Sequence, residues 1–226
     1  HLNTVVLLAA IIARSKAKIS GSSRVTPFDT YSDAPFKKRW FLKLLARAVM
    51  WRADALTCVS KDMVEQYRSV FVSPPHVCVY NIVDDSRSRR RMLETVDHEC
   101  LLSKDRPVLV AAGRLAPWKG FADLIRAMEL LSRRRRVRLL ILGDGPLRPK
   151  LEALILELGL SGVVGLPGYV ENPLKFFARA DVFVLSSHVE GLPHVLVEAM
   201  MCGCTPVSTD CPTGPREVLQ DGKFGY

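Results

Sequence analysis

The second half of the chain alternates between short apolar runs and amphipathic stretches, and this alternation restricts the possible folds more than any other feature. The apolar runs have the length of buried strands and lie at 107–112, 137–142, 163–166, 182–185 and 205–208. The stretches between them have helical periodicity and lie at 121–132, 147–158, 174–178 and from Pro193 onward. Because strands that alternate with helices form a parallel sheet under crossover helices, the pattern predicts a doubly wound α/β unit.

The first half of the chain carries fewer strand patterns. It predicts helices at 4–13, 36–52 and 62–67, a strand soon after the first helix, and strands at 55–59 and 77–80. Ser60 is the predicted cap of the third helix. Residues 84–104, with Asp84, Asp85 and an arginine run but no apolar periodicity, predict a surface linker. We therefore expect a partial Rossmann-like domain and its linker at 1–104, and a Rossmann-like domain at 105–226.

Composition excludes several classes of protein. A chain of 226 residues, 48% hydrophobic and 24% charged, can bury a sizeable core and is not of a disordered type. The net charge of +9 is uneven, since residues 1–106 hold 18 basic and 11 acidic side chains and 107–226 hold 14 and 12. The Arg133–Arg136 run ends a predicted helix, where cations complement the helix dipole. No aromatic platform accompanies it, which favours a solvated helix end over a nucleic-acid patch.

Neither the apolar runs nor the cysteines indicate an export route. The longest apolar run, Val5–Ala13, is much shorter than the roughly 20 residues that span a bilayer. Its basic residues follow it, the reverse of a secretory signal. The six cysteines form no C-x-x-C pair, which speaks against a zinc site and for reduced thiols. We expect a cytoplasmic protein.

Ligands of open α/β sheets bind beyond the carboxyl ends of the strands, so the loops there are candidate sites. The loop at 113–120 places Arg114 and Lys119 at the mouth of a helix, an arrangement suited to a diphosphate. A simple βα turn with surface cations explains the same spacing equally well. The glycines at 143–146 permit close backbone approach, and Pro146 is expected to start a helix. This second loop is more typical of a structural turn.

The loop and helix at 190–201 are the most informative stretch. Glu190 precedes the helix, while Glu198 lies within it among apolar neighbours. A buried carboxylate is costly unless it is hydrogen-bonded, and no cation lies three or four residues away. This favours sugar or ribose hydroxyls as its partner over a distant arginine, and the amides from Gly191 to His194 suit a phosphate.

The remaining loop residues point to no particular ligand. Arg216, in the proline- and glycine-rich loop at 211–218, suits either a phosphate or a carboxylate. His188 and His194 lack the spacing of metal ligands, and no Asp-x-Asp element is present. If the protein uses a sugar nucleotide, we expect a metal-free mechanism.

Taken together, these loops resemble the family 4 retaining glycosyltransferases of the GT-B fold, in which two Rossmann-like domains face each other. The matching stretches cover essentially the whole chain and lie at 52–63, 79–84, 113–128, 140–152, 168–173, 186–219 and 221–225. The most specific of them holds the two glutamates, Glu190 and Glu198.

The resemblance implies a nucleotide-sugar site in the C-terminal domain. Arg114 and Lys119 would hold the diphosphate, Glu198 the ribose hydroxyls, Glu190 the sugar hydroxyls, and the backbone of Tyr169 and Val170 the base. Of these, Glu190, Arg114 and Lys119 are the candidate catalytic residues. The further donor-binding residues that it implies are Gly113, Gly143, Gly191, Leu192, Pro193 and Val195. It also implies retention of configuration, no metal and no other cofactor.

The same resemblance shows departures from the family pattern. The Gly-rich loop that opens the family's N-terminal domain is missing, and Ser-Gly-Ser-Ser-Arg stands where a catalytic-site histidine is often found. His1 is not assigned that role. The final helices are missing too, so we expect a fragment that is inactive by itself.

The acceptor is expected to be a glycan or a lipid-linked sugar. The basic helix at 36–52 lines up Arg39, Lys43 and Arg47 beside apolar side chains and would suit an anionic membrane at the inner face. An ordinary helix packed on the sheet is the favoured alternative. Two other functions remain open, a sugar-nucleotide epimerase of the same fold and a non-catalytic nucleotide-sugar-binding module.

Overall fold

The computed structural model describes residues 2–83, 86–103 and 105–226. Residue contacts divide the chain into two compact units. The first runs up to Asn81 and includes Glu190–Leu192 and Pro212–Glu217. The second comprises Ile82–Val189, Pro193–Cys211 and Val218–Tyr226. The boundary that the sequence suggests, between 104 and 105, stays a prediction, and His1, Asp84, Asp85 and Lys104 lie outside the described residues.

The first unit contains a parallel sheet of three strands in the order β1-β2-β3. Its strands are β1 (Ser20–Ser23), β2 (Ala55–Cys58) and β3 (His76–Cys78). Its helices are α1 (Leu2–Ile12), α2 (Pro27–Thr30), α3 (Lys38–Met50) and α4 (Lys61–Val70). Leu56 at the centre of the sheet and Met63 on α4 are fully buried, and apolar faces of α1, α3 and α4 complete the core. Each predicted element of this unit lies close to its predicted position, whereas the short helix α2 was not predicted.

The predicted cap of α4 is confirmed. Ser60 has an extended backbone, and its Oγ accepts a hydrogen bond from the Met63 amide at 3.2 Å. Since the first amides of a helix have no partner within it, this bond fixes where α4 begins.

The second unit contains a five-stranded parallel sheet in the order β6-β5-β4-β7-β8. Its strands are β4 (Val108–Ala112), β5 (Arg138–Leu142), β6 (Val164–Gly168), β7 (Val182–Leu185) and β8 (Thr205–Ser208). Its longer helices are α7 (Phe121–Ser132), α8 (Arg148–Glu157) and α10 (His194–Met201), with the short α9 (Leu174–Phe177) before β7. Apolar clusters bury both faces of the sheet, which is why the strands read as continuous apolar runs. The prediction of an α/β fold is confirmed.

The prediction of a surface linker at 84–104 is wrong for the residues described there. The segment forms two helices, α5 (Ser86–Leu93) and α6 (Glu99–Leu102). Val96 and Leu101 are each 3% exposed and belong to the core of the second unit, and α5 packs against α9. Each of these short helices has one buried residue, Ser88 in α5 and Leu101 in α6, which is too few to produce a periodic pattern.

The cationic stripe predicted on α3 is also wrong in part. Lys43 is 7% exposed and pairs with Asp33 at 2.5 Å, so it does not line up with Arg39 and Arg47 on the surface. Those two arginines donate to the carbonyls of Phe28 and Val70 in the same unit. Ala46, Val49 and Met50 anchor α3 in the core, as the favoured alternative expected.

Two prolines differ slightly from their predicted roles. Pro193 is the residue before α10 rather than its first residue. Pro146 lies in a turn, and α8 begins two residues later at Arg148. None of the helices in the described ranges is both long and apolar enough to cross a membrane.

Candidate active site

The strand order of the second unit identifies where a ligand would bind. β4 and β7 are neighbours, yet the chain leaves β4 toward β5 on one side and leaves β7 toward β8 on the other. The diverging loops leave a crevice at the carboxyl ends of these strands, the usual ligand site of doubly wound sheets. The loops that the sequence singled out, at 113–120 and from 186 onward, follow these two strands.

Backbone hydrogen bonds join the loops at this edge of the sheet. The Gly113 amide donates to Leu142 O, the Leu115 amide to Asp144 O and the Gly143 amide to Gly168 O, at 2.9, 2.9 and 2.7 Å. Gly143 has φ +137°, and a Cβ added there would lie 1.9 Å from Gly113 O. No larger residue permits so close an approach. Backbone contacts, rather than side chains, therefore position the loops after β4, β5 and β6.

A cavity of about 320 Å³ opens among these loops. Its walls include six of the residues predicted from sequence, namely Gly113, Arg114, Gly143, Tyr169, Val170 and Val195. The remaining lining residues are mostly apolar, with Asp144 as the added charged group. The structure thus brings together side chains and glycines from the ends of three strands and from α10.

The two predicted cations lie at this loop cluster in different ways. Arg114 is exposed, and no described residue pairs with its guanidinium. Lys119 folds back over the loop, since its Cε would lie 3.3 Å from a Cβ added at Gly113. Its position is fixed by a short 3-10 turn at Pro117–Lys119 and by the hydrogen bond from Ser186 Oγ to Lys119 O at 2.9 Å. Both cations therefore border Gly113.

Gly120 fixes the link between the loops after β4 and β7. It adopts a left-handed conformation with φ +64°, and a Cβ there would lie 1.9 Å from Ser186 O. The His188 amide donates to Trp118 O at 2.8 Å across the same junction. α7 then begins at Phe121, so its N-terminus faces the loop that carries the cations.

Glu198 is half-buried on α10 rather than fully buried. Burial raises the pKa of its carboxyl, and the charge of Arg91 on α5 partly opposes this. The two groups form no direct ion pair within the described part of the chain, so Glu198 keeps its acceptor positions for another partner.

The segment Glu190–Leu192 belongs to the first unit and is described there. Glu190 O accepts from the Thr213 amide at 3.0 Å, the Glu190 amide donates to Pro212 O at 2.9 Å, and Thr213 Oγ1 donates to Gly191 O at 2.8 Å. A Cβ at Gly191 would lie 2.4 Å from Arg24 O, which requires glycine there. This loop is therefore held by its backbone, and its predicted role stays a prediction.

Two neighbours of the candidate site were not predicted. Arg91 donates from Nη2 to Glu171 O at 2.5 Å, and Asn172 donates from Nδ2 to Arg91 O at 2.9 Å and to Glu94 Oε2 at 2.7 Å. Arg91 sits in the segment taken for a linker, where one arginine among four carries no distinguishing signal. Asn172 lies in the stretch 168–173 that carried the resemblance, without a role of its own.

The histidines show no metal-binding arrangement. His188 Nε2 lies 3.2 Å from Asp123 Oδ2, and across the described ranges no group of three or more His, Cys, Asp or Glu side chains is placed to hold an ion. Independence of metal stays a prediction.

The sequence identifies the family of this chain. Residues 94–226 match the family described as Glycosyl transferases group 1, more than half of the chain. The chain belongs to this family. Its α/β fold with parallel sheets is that of the GT-B glycosyltransferases, since it superposes on TarM of S. aureus with a TM-score of 0.73 at 20% identity, covering 94% of this chain and 41% of TarM. HepE of Anabaena in complex with UDP superposes with a TM-score of 0.74 at 21% identity, covering 96% of this chain and 59% of HepE.

Curated relatives carry more specific names. A Campylobacter jejuni protein, 33% identical over 99% of this chain, is named N-acetylgalactosamine-N,N'-diacetylbacillosaminyl-diphospho-undecaprenol 4-alpha-N-acetylgalactosaminyltransferase. A Mycolicibacterium smegmatis protein, 34% identical over 82% of this chain, is named GDP-mannose-dependent alpha-(1-6)-phosphatidylinositol monomannoside mannosyltransferase. The chain spans 59% and 53% of the length of these relatives.

Proposed function

We propose that this chain forms the donor-binding part of a family 4 retaining glycosyltransferase that transfers a hexose from a nucleoside diphosphate to a glycan or lipid-linked acceptor without a metal. The observation that carries the proposal is the cavity at the carboxyl ends of the strands, lined by Gly113, Arg114, Gly143, Tyr169 and Val170.

The diphosphate would lie against the loop at 113–120. Arg114 is exposed with no protein partner among the described residues, and Lys119 lies beside the same glycine. A flexible cation whose partner is not supplied by the protein is suited to a mobile anionic ligand. Two cations at a helix N-terminus can absorb the charge that develops on a departing nucleoside diphosphate, the work that a metal performs in other enzymes.

The nucleoside would lie toward Tyr169, Val170 and Glu198. The backbone at 169–170 lines the cavity and would meet the base, and the half-buried Glu198 would accept hydrogen bonds from the ribose hydroxyls. Val195, which also lines the cavity, lies one helical turn before Glu198 on α10. The solved structures of TarM and HepE, which share this fold, contain UDP, which supports a nucleotide as the ligand.

The reaction would form a bond between an acceptor oxygen and the anomeric carbon while the bond from that carbon to the diphosphate oxygen breaks. The acceptor proton would pass to the departing phosphate on the same face, so no separate base is needed. The names of two relatives specify alpha linkages, which a retaining transfer forms from an alpha-linked donor. In this scheme Glu190 would hold the hydroxyls of the transferred sugar.

The acceptor would be membrane-associated. Names of relatives include an undecaprenol-linked and a phosphatidylinositol-linked acceptor, which supports a lipid-linked substrate. On α3 and its flanks, Phe41, Leu44, Leu45 and Trp51 are exposed, with Lys37 and Lys38 at the start of the helix. We propose that the protein is cytoplasmic and contacts the inner face of the membrane peripherally through this surface.

Calorimetric titration with UDP and GDP tests the donor site. We expect one of them to bind, and Arg114→Ala to weaken binding by roughly tenfold, the loss of one charge-assisted contact. Arg135→Ala, which removes an exposed arginine at the end of α7, is the matched control and should bind like the unmodified chain. If neither nucleotide binds, or if both variants behave alike, the assignment of the site is wrong.

Transfer itself is tested with a protein that contains this whole sequence. Nucleotide sugars offered with a lipid-extract acceptor should give a glycosylated lipid of retained configuration, detected by mass spectrometry and NMR. Activity should be the same in EDTA. Strict dependence on a divalent ion would contradict the metal-free scheme, and a free epimer formed without acceptor would favour an epimerase.

A further inference from the structure

We propose that Arg91 is a positioning residue of the donor site, which fixes the loop carrying Tyr169 and Val170 and acts through its charge on Glu198. The inference rests on the proposed function, since it concerns how the nucleoside part of that site is held. It assigns a role to α5, a helix outside the segments that resemble the family.

Arg91 and the loop at 169–172 are tied together by reciprocal hydrogen bonds. The Arg91 side chain donates to Glu171 O at 2.5 Å, and the Asn172 side chain donates back to Arg91 O at 2.9 Å. Asn172 is 7% exposed and also donates to Glu94 Oε2 at 2.7 Å. These bonds leave little freedom to a loop whose preceding residues line the donor cavity.

The same residues form the wall of a second cavity, of about 600 Å³, which adjoins the first at Val170. Arg91, Glu94, Glu171, Asn172 and Lys175 contribute to this wall. A change at Arg91 would therefore act on the far side of Val170, the residue whose backbone is proposed to meet the base.

The second link runs from Arg91 to Glu198. Arg91 is the charged side chain that lowers the pKa of this carboxyl, against a burial effect that raises it. The elements packed against α10 are β7, β8 and α9, which together carry Lys175 as their charged side chain, and α10 itself brings the Cys202 thiol near Glu198. Since a carboxylate only accepts hydrogen bonds whereas a carboxylic acid also donates one from its O–H, the charge state of Glu198 affects how it receives ribose hydroxyls.

One residue thus acts on both proposed contacts of the nucleoside. Through its guanidinium it holds the backbone that is proposed to meet the base, and through its charge it partly offsets the rise in the pKa of Glu198. Two substitutions separate these effects. Arg91→Lys keeps the charge and shortens the reach, while Arg91→Gln keeps an N–H donor for Glu171 O and removes the charge.

The experiment is calorimetric titration of the chain with UDP and GDP over about pH 5 to pH 8, a range that includes the ordinary and raised pKa values of a carboxyl. With the nucleotide that binds, we expect Arg91→Ala to weaken affinity on the order of tenfold at neutral pH. Its affinity should also begin to fall at a higher pH than that of the unmodified chain. Arg91→Gln should share the shifted pH profile, and Arg91→Lys should restore the original one.

Arg90→Ala is the matched control, because it removes the same charge from an exposed neighbouring position that does not line either cavity. It should leave affinity and pH profile unchanged. Thermal melting of each variant checks folding. A uniform loss of affinity in the Ala, Gln and Lys variants with no shift of the profile would overturn the proposal, as would unchanged binding. Failure of the unmodified chain to bind either nucleotide would instead overturn the donor site itself.

Discussion

At the scale of single residues, the candidate site is shaped by backbone approaches that only glycine allows. Gly143 lies against the loop after β4, and Gly120 lies against the loop after β7. A Cβ added at either glycine would lie 1.9 Å from a carbonyl oxygen, Gly113 O or Ser186 O. The side chain of Arg114, by contrast, is exposed and has no partner among the described residues. The rigid part of the site is therefore its backbone.

Replacement of Gly143 by alanine tests this view. We expect a loss of roughly 2 kcal/mol or more in the free energy of unfolding, because the added methyl group collides with Gly113 O at a φ that alanine avoids. Denaturant unfolding measures it. Gly162→Ala, where a Cβ meets nothing within 4 Å, is the control and should change stability by no more than about 0.5 kcal/mol. Equal effects of the two changes would contradict the argument.

We expect Glu198 to lower the stability of the ligand-free chain and to strengthen nucleotide binding. Burial raises its pKa, so ionisation at neutral pH destabilises the fold, and Glu198→Gln should raise the melting temperature of the ligand-free chain. A group whose pKa is raised on folding contributes stability below its unfolded pKa and loses it as pH rises through the folded value. The difference in melting temperature should therefore shrink in acid, where the native carboxyl is also neutral.

The same variant should bind UDP or GDP more weakly, since an amide accepts fewer hydrogen bonds than a carboxylate. Differential scanning calorimetry with and without nucleotide gives both readouts. A variant that is less stable at neutral pH and binds nucleotide normally would identify Glu198 as a structural residue.

At the scale of elements, α5 and α6 changed the interpretation of the chain most. Their sequence is rich in charge, yet the few apolar side chains they carry close the core of the second unit. α5 also supplies Arg91, so the segment contributes to the proposed site as well as to stability.

Two adjacent leucines on α6 give a direct test. Leu101 is 3% exposed and Leu102 is 64% exposed. Leu101→Ala should cost about 2–5 kcal/mol of unfolding free energy, the usual result of opening a cavity in a packed core. Leu102→Ala removes the same atoms from an exposed side chain and should lower the free energy of unfolding far less. Chemical denaturation distinguishes them, and similar small losses would mean that the segment is a surface linker after all.

At the scale of the whole molecule, charge and exposed apolar surface are distributed unevenly. Most of the +9 net charge lies in residues 1–106, where exposed apolar side chains of α3 also occur. Lys43 is withdrawn from this surface by Asp33, so the proposed contact would use the exposed lysines at the start of α3, Lys37 and Lys38, beside the exposed apolar side chains.

Vesicle flotation tests the proposed membrane contact. We expect the chain to float with vesicles that contain anionic lipid, and binding to fall as salt rises, because each surface cation contributes about 1 kcal/mol that salt screens. Lys37→Glu with Lys38→Glu should abolish most of it. Lys150→Glu with Lys223→Glu makes the same change of charge at exposed positions of the second unit and should have little effect. Equal losses of vesicle binding in the two double variants would mean that binding depends on net charge and not on this surface.

Local patterns in the sequence were sufficient for much of the fold. The strands and helices of the second unit, the cap at Ser60 and the glycine-rich ends of β4 and β5 are all written in stretches of a few residues, where periodicity, turn chemistry and burial act locally. The loops that line the cavity could be named for the same reason, since strand ends of a parallel sheet are predictable from topology.

The tertiary structure alone decided the rest. Lys43 pairs with Asp33, and α6 contributes to the core of the second unit. Arg91 donates to Glu171 O and lowers the pKa of Glu198 through its charge. All of these interactions join residues that are distant in sequence. A single charged side chain gives no periodic signal, and its partner is chosen by packing. Local sequence patterns thus predicted most of the elements and the loops where we propose that a ligand binds, while folding decided which charges lie near those loops.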